Sequence, residues 1–190
     1  MVLTLALVAS LGVAATRGQD PPPAPPALAP KTVAGVTFTP PPDSGWLEEP
    51  VTSRMRAAQY RVRRAEGDAE DAELVVFHFG GSAGSVEDNL TRWFAQFQQP
   101  DGKPTREAAK VERRELGGLV LHEVEVGGTY VAETRPGSGE RVNKPGSRLL
   151  GAIIETPSGP FFVKLVGPDA TVAAARAAFK KFVESFSAEH

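Results

Sequence analysis

Gly80-Gly81-Ser82-Ala83-Gly84 has the spacing G-x-S-x-G, after a β-branched and aromatic run (72–79) and before an apolar-periodic segment opening at Ser85. Strand, tight turn and helix are the setting of a hydrolase nucleophile elbow, where a strained turn exposes the serine above a sheet. Ser82 is therefore the candidate nucleophile, and three features weigh against it. An elbow helix begins at its serine, whereas the best cap here is Ser85. Elbow hydrolases carry a mostly parallel sheet, and the strands of this chain are joined by hairpins. A triad also needs an acid and a histidine downstream, leaving Asp101 or Asp169 with His122 or His190. His122 alternates with Val120, Val124 and Val126 on a face that reads as core, and His190 is the last residue.

The same loop has a second chemistry. Consecutive N–H groups at Gly84, Ser85 and Val86, aligned with a helix dipole, suit a phosphate or carboxylate. The loop lacks the lysine of a phosphate loop and the G-x-G-x-x-G spacing, so no nucleotide is implied. Within the helix, Asn89, Arg92, Trp93 and Gln96 fall on neighbouring rows. Polar side chains flanking a large ring either line a ligand groove or clamp a nearby loop, with 43–46 as the example. The clamp is the favoured reading, because buried polar side chains usually serve backbone groups. The ligand-binding candidates are Gly84, Ser85, Asn89, Arg92 and Gln96.

Other polar residues read as structural. His78 lies inside an apolar strand, and His78, His122 and His190 share no ligand spacing, so no metal site is expected. Glu123 and Glu125 alternate with Val124 and Val126 and read as the solvated face of a strand. Asn89-Leu90-Thr91 matches a glycosylation sequon but lies beside buried helix positions. With no cysteine, the chain has no disulfide, no thiolate ligand and no cysteine to acylate. No cofactor is implied.

The elements that must position these residues occupy one part of the chain. Residues 2–15 (VLTLALVASLGVAA) form an apolar run followed by small residues, the pattern of a secretory signal, though no Lys or Arg precedes it. The run is shorter than the roughly 20 residues that span a bilayer. We expect a signal peptide over 1–18, a proline-rich linker over 19–32 and a single domain over 33–190. Export to the periplasm or the cell exterior follows as an expectation, with no membrane span in the mature chain. The 190 residues include 21 basic and 23 acidic ones, a formal net charge of −2, and no charged block. Nucleic acid is not an expected partner.

From residue 31 the pattern turns to period two. Strands are expected at 33–39, 54–63 and 72–79. A helix capped by Ser85, with Asp88 closing a capping box, buries Val86, Leu90, Trp93, Phe94 and Phe97. Two hairpins follow, 110–116 with 119–126, then 148–155 with 161–166. Residues 135–147, rich in Gly, Pro and Ser, read as a loop. A last helix, capped by Asp169 or Thr171, buries Val172, Ala175, Phe179, Phe182, Val183 and Phe186. The order predicts an α+β domain, an antiparallel sheet flanked by helices.

The pieces Gly45-Trp46, Met55-Arg56…Tyr60, Asn89…Arg92-Trp93…Gln96-Phe97, 150–156 (LGAIIET) and 162–168 (FVKLVGP) resemble an uncharacterised family of exported bacterial proteins. The closing strand, Gly-Pro and helix also resemble PsbP-like domains, DcrB-like ones included. That resemblance implies an α-β-α sandwich and a binding or assembly role, with no catalytic motif to carry over. The expectation is a non-catalytic exported domain that binds an envelope protein or a small ligand. The alternatives are a serine hydrolase using Ser82 and an anion-binding module at residues 80–85.

Overall fold

Alternation along the long strands of this chain sorts side chains between two cores, one on each face of a single sheet. The computed structural model describes residues 27–135 and 137–188, with the backbone alone at Ser82. The expected signal, most of the expected linker and His190 lie outside the described residues. In chain order the strands and helices begin with β1 (Lys31–Val33), β2 (Val36–Phe38), β3 (Leu47–Glu48), β4 (Arg56–Val62) and β5 (Ala72–His78). A 3-10 turn at Gly80–Ser82 leads to α1 (Val86–Phe94), β6 (Phe97–Gln98), α2 (Thr105–Ala108), β7 (Lys110–Leu116) and β8 (Leu119–Tyr130). The chain continues through β9 (Lys144–Glu155), β10 (Phe161–Pro168), α3 (Asp169–Ala174), α4 (Arg176–Glu184) and β11 (Ser187–Ala188).

The main sheet has eight strands in the order β3-β4-β5-β10-β9-β8-β6, with β7 also on β8, and every pairing is antiparallel. On one face Leu150, Ala152, Ile154, Val163 and Leu165 meet Phe179, Phe182 and Val183 of α4. A small sheet, β1-β2-β11, adds Val36 and Phe38 to that core. On the other face Val124, Val126, Leu149, Ile153 and Phe162 meet Leu90, Trp93 and Phe94 of α1. The expected helix–sheet–helix layering is thus present.

The extent of α1 decides where a site can form. Nine residues give a helix about 13 Å long and about 10 Å wide, enough to cover two or three strands spaced about 4.8 Å apart. It covers β8, β9 and the adjoining edge of β10. The rest of that face, toward β4 and β5, is left to the side chains of Gln59, Glu73, Val75, Phe77 and Lys164.

Several expectations need correction. The strand expected over 33–39 is a hairpin: Ala34 and Gly35 take positive φ (51° and 73°) and turn β1 onto β2. β1 begins at Lys31, inside the segment expected to be linker. α1 ends at Phe94, so Gln96 sits in the turn after the helix and Phe97 in β6. β9 begins at Lys144, within the expected loop, where it pairs with Tyr130 beyond a bulge. The last helix breaks at Ala175, and Pro168 rather than Asp169 or Thr171 precedes it. Thr171 instead donates its backbone N–H to Asp68 at 2.9 Å and its hydroxyl at 2.5 Å. Its six expected stripe residues are all buried.

Glu123 and Glu125 do not lie on a solvated face. Their side chains are 21% and 22% exposed, and Arg114 holds Glu123 while Arg148 and Arg176 hold Glu125. Burial pushes the Glu125 carboxyl up, but the two guanidinium groups outweigh it and hold it below its ordinary value. The physical reason is that β8 is covered on both faces here, by α1 on one and by Arg114, Arg148 and Arg176 on the other, so alternation cannot mark a wet side. Trp46, in the loop before β3, is 3% exposed and packs edge-on against Phe182.

Candidate functional site

A cavity of about 550 Å³ opens where α1 stops covering the sheet. Its walls are the rings of Phe77, Phe79, Trp93 and Phe162, and its polar groups are Asn89, Arg92, Gln96 and Lys164. Ala83 and Gly84 form part of its rim. The rings are in mutual contact: Phe77 stacks on Phe79 at 5.9 Å, Phe79 meets Phe162 at 5.5 Å, and Trp93 meets Phe162 edge-on at 6.4 Å. Phe79, at the mouth, is 40% exposed, as is much of Met55, whose backbone oxygen accepts from the His78 N–H. The volume falls within the range of small-molecule sites, about 300–1,000 Å³.

Local structure fixes the polar groups. Ser85 caps α1 and forms a capping box with Asp88. One turn on, Asn89 is 4% exposed and donates through Nδ2 to the oxygens of Ala83 (2.9 Å) and Ser85 (2.7 Å). Arg92 donates from Nη2 to Asn89 Oδ1 and to the Ala83 oxygen. The helix therefore does clamp a loop, but the loop is the glycine turn before it and not residues 43–46, which pack on the opposite face. Gln96 accepts from Lys164 Nζ at 2.6 Å, and that ammonium lies 5.7 Å from the centre of the Trp93 ring.

The cavity's charge is one-sided. Two cations and no carboxylate line it, and among the described residues neither Arg92 nor Lys164 makes an ion pair. Desolvation pushes the Lys164 ammonium down to about 8, with the charge of Glu73 opposing it. The Arg92 bonds use Nη2, so Nη1 and Nε have no protein acceptor among the described residues.

Of the five ligand-binding candidates, Gly84, Asn89, Arg92 and Gln96 meet at this cavity. Ser85 lines a smaller one of about 250 Å³, beside Glu155 and Thr156. The helix N-terminus, the alternative anion site, is answered from within. Asp88 Oδ2 accepts from the Ser85 N–H at 3.2 Å and from its hydroxyl at 2.6 Å. Those two Ser85 hydrogen bonds hold the Asp88 carboxyl below its ordinary value. With Glu87 also in the first turn, an incoming anion meets two carboxylates.

The hydrolase constellation is dispersed among the described residues. The Ser82 backbone ends a 3-10 turn four residues before α1, and its side chain lies outside what is described. Asp101 pairs with Lys103, and Asp169 with Arg148. His122 does face the α1 side, where its Nε2 meets Glu155 at 2.6 Å. His78 stacks on Phe161 at 4.3 Å. No described serine hydroxyl hydrogen-bonds either histidine. No described group of three or more His, Asp or Glu is placed to hold a metal ion. A larger groove of about 630 Å³ runs between α1 and residues 99–106, but its cations Lys103 and Arg106 are already paired with Asp101 and Glu87.

Sequence reasoning missed Lys164, Phe77, Phe79 and Phe162. A signal for Lys164 was present: it is the single charge in the apolar strand 161–166, on the same face as Phe162 and Val166.

No family model matches the chain, and no curated protein does. Solved structures do. The solution structure of cyanobacterial PsbP (CyanoP) from Synechocystis sp. PCC 6803 superposes with a TM-score of 0.50, covering 90% of this chain and 98% of that one. The fold is PsbP-like. At 12% identity the likeness concerns the fold alone, and it agrees with the layering expected from sequence. Within this PsbP-like fold the cavity belongs to the face that α1 covers only in part. No described helix is long and apolar enough to cross a membrane.

Proposed function

We propose that this is a non-catalytic domain that acts outside the cytoplasm, at the bacterial envelope, and binds a small ligand in the cavity beside α1. The observation that carries the reading is the meeting of four aromatic rings with Asn89, Arg92, Gln96 and Lys164 around one opening of about 550 Å³. The PsbP-like fold and the dispersal of the acids and histidines that a Ser82 nucleophile would need support a binding role over hydrolysis. The apolar run at residues 2–15 and the proline tract after it support export.

The neutral aromatic dye N-phenylnaphthylamine tests the binding half. It should bind the full chain with one-to-one stoichiometry and take up energy from Trp93, while Phe162→Ser should weaken it at least tenfold. No saturable binding would sink the cavity as a ligand site. Covalent labelling of Ser82 by a fluorophosphonate would restore the hydrolase. Fractionation of the producing cells tests the rest: the chain should leave the cytoplasm and lose its first residues.

A further inference from the structure

We infer that the cavity beside α1 selects a carboxylate carried on a flat aromatic body, with Arg92 and Lys164 taking the carboxylate and Phe79, Phe162 and Trp93 holding the ring. The inference rests on the binding role proposed above and names the ligand class. Three observations carry it. The two cations share one opening that no acidic residue lines, in a chain whose formal net charge is −2. Neither is neutralised by an ion pair among the described residues, and for the partly buried Lys164 ammonium that costs folding free energy unless something anionic answers it.

Both cations are also held in place by neighbours. Asn89 and the Ala83 oxygen anchor Arg92 through Nη2 alone. Nη1 keeps its N–H groups free of protein acceptors among the described residues and can donate a charge-assisted hydrogen bond to a carboxylate oxygen. Gln96 takes one Lys164 proton, leaving two N–H donors that have no protein acceptor among the described residues. Asn89 and Gln96 are thus positioning residues. Finally, the apolar part of the opening is built from rings, with Phe79 40% exposed at the mouth. Ring faces and edges favour offset or edge-on contact with another ring.

Calorimetric titration of the full chain with naphthoate and its neutral isostere naphthamide tests the charge. Naphthoate should bind at least tenfold more tightly, and added salt should shrink the difference. Arg92→Gln and Lys164→Gln should each remove most of the preference while leaving naphthamide affinity within about twofold. Lys164→Arg, which keeps the charge, should retain it, and a cooperative thermal transition no lower than the parent's in each variant excludes a folding defect. Equal affinity for naphthoate and naphthamide, or a preference that survives the double variant, overturns the inference but leaves the ligand-binding role standing. Failure of both compounds to bind sinks that role as well. Decanoate supplies the same carboxylate on a flexible acyl chain and should bind less tightly than naphthoate. If it binds as tightly or more so, the aromatic assignment is overturned.

Discussion

Lys164 sits where its charge is least at home, on an apolar strand with Trp93 against one side and the Arg56–Gln59–Glu73 network on the other. Glu73, Arg56, Lys144 and Tyr130 surround it from β5, β4, β9 and β8, and Arg92 faces it from α1. Its ammonium is pushed from 10.5 down to about 8 by burial. In the window between those values the unfolded chain keeps the proton and the folded chain has lost it, so stability should rise with pH there. Below about 8 both states are charged and the desolvation cost is present in full. Burial, with the charge of Glu73, also raises the Tyr130 phenol above its ordinary value. Lys164→Met should therefore raise stability at pH 7 by about 2 kcal/mol and flatten the rise between pH 8 and 10. Urea unfolding at a series of pH values measures both. A wild-type stability that is flat or falling across that window would mean that Lys164 is well hydrated.

At the scale of elements, α1 and β9 meet through a missing side chain. A Cβ at Gly151 would come within 2.5 Å of Trp93 Cζ3 and 2.8 Å of Val124 Cγ1. Gly151→Ala should cost about 1–3 kcal/mol as an overpacked core position and should tilt the Trp93 ring that forms a cavity wall. Thermal unfolding and the dye's energy transfer from Trp93 should both respond. A silent Gly151→Ala would show that α1 rides loosely on the sheet. This contact also marks the limit of what was legible. Helix capping by Ser85 and Asp88, both hairpins and the last helix's buried stripe follow from local rules, and all are present. Positions such as Gln96, Trp46 and Glu125 depend on which strand lies opposite and how far a helix reaches. Period-two patterning marks two faces of a strand but does not say whether one is wet. Hence Asn89, Arg92 and Gln96 were recognisable as a polar set along α1 and the turn after it, whereas the partner that completes it, Lys164, comes from a strand and lies 68 residues beyond Gln96.

For the molecule as a whole, the small sheet joins the two ends of the described chain. β2 pairs with β1 on one side and with β11 on the other, at Thr37 opposite Ser187. Phe38 stacks on Phe186 at 4.8 Å, and the Thr39 N–H donates to Ser185 Oγ at 2.9 Å. Leu28 packs against the same core, the earliest described residue to do so. Among the described residues, core contacts thus begin at Leu28, before the expected boundary at 33. Deleting residues 1–26 should leave the midpoint of thermal unfolding within about 2 °C of the parent chain, because the deletion removes no described core contact. Extending the deletion through Phe38 removes two strands and a fully buried ring, whose loss alone is worth about 3–5 kcal/mol. That longer deletion should abolish the cooperative transition seen by circular dichroism. If it unfolds at the parent's temperature, the small sheet is an ornament and the main sheet with α4 suffices; a large loss from the shorter deletion would place the start of the domain earlier still.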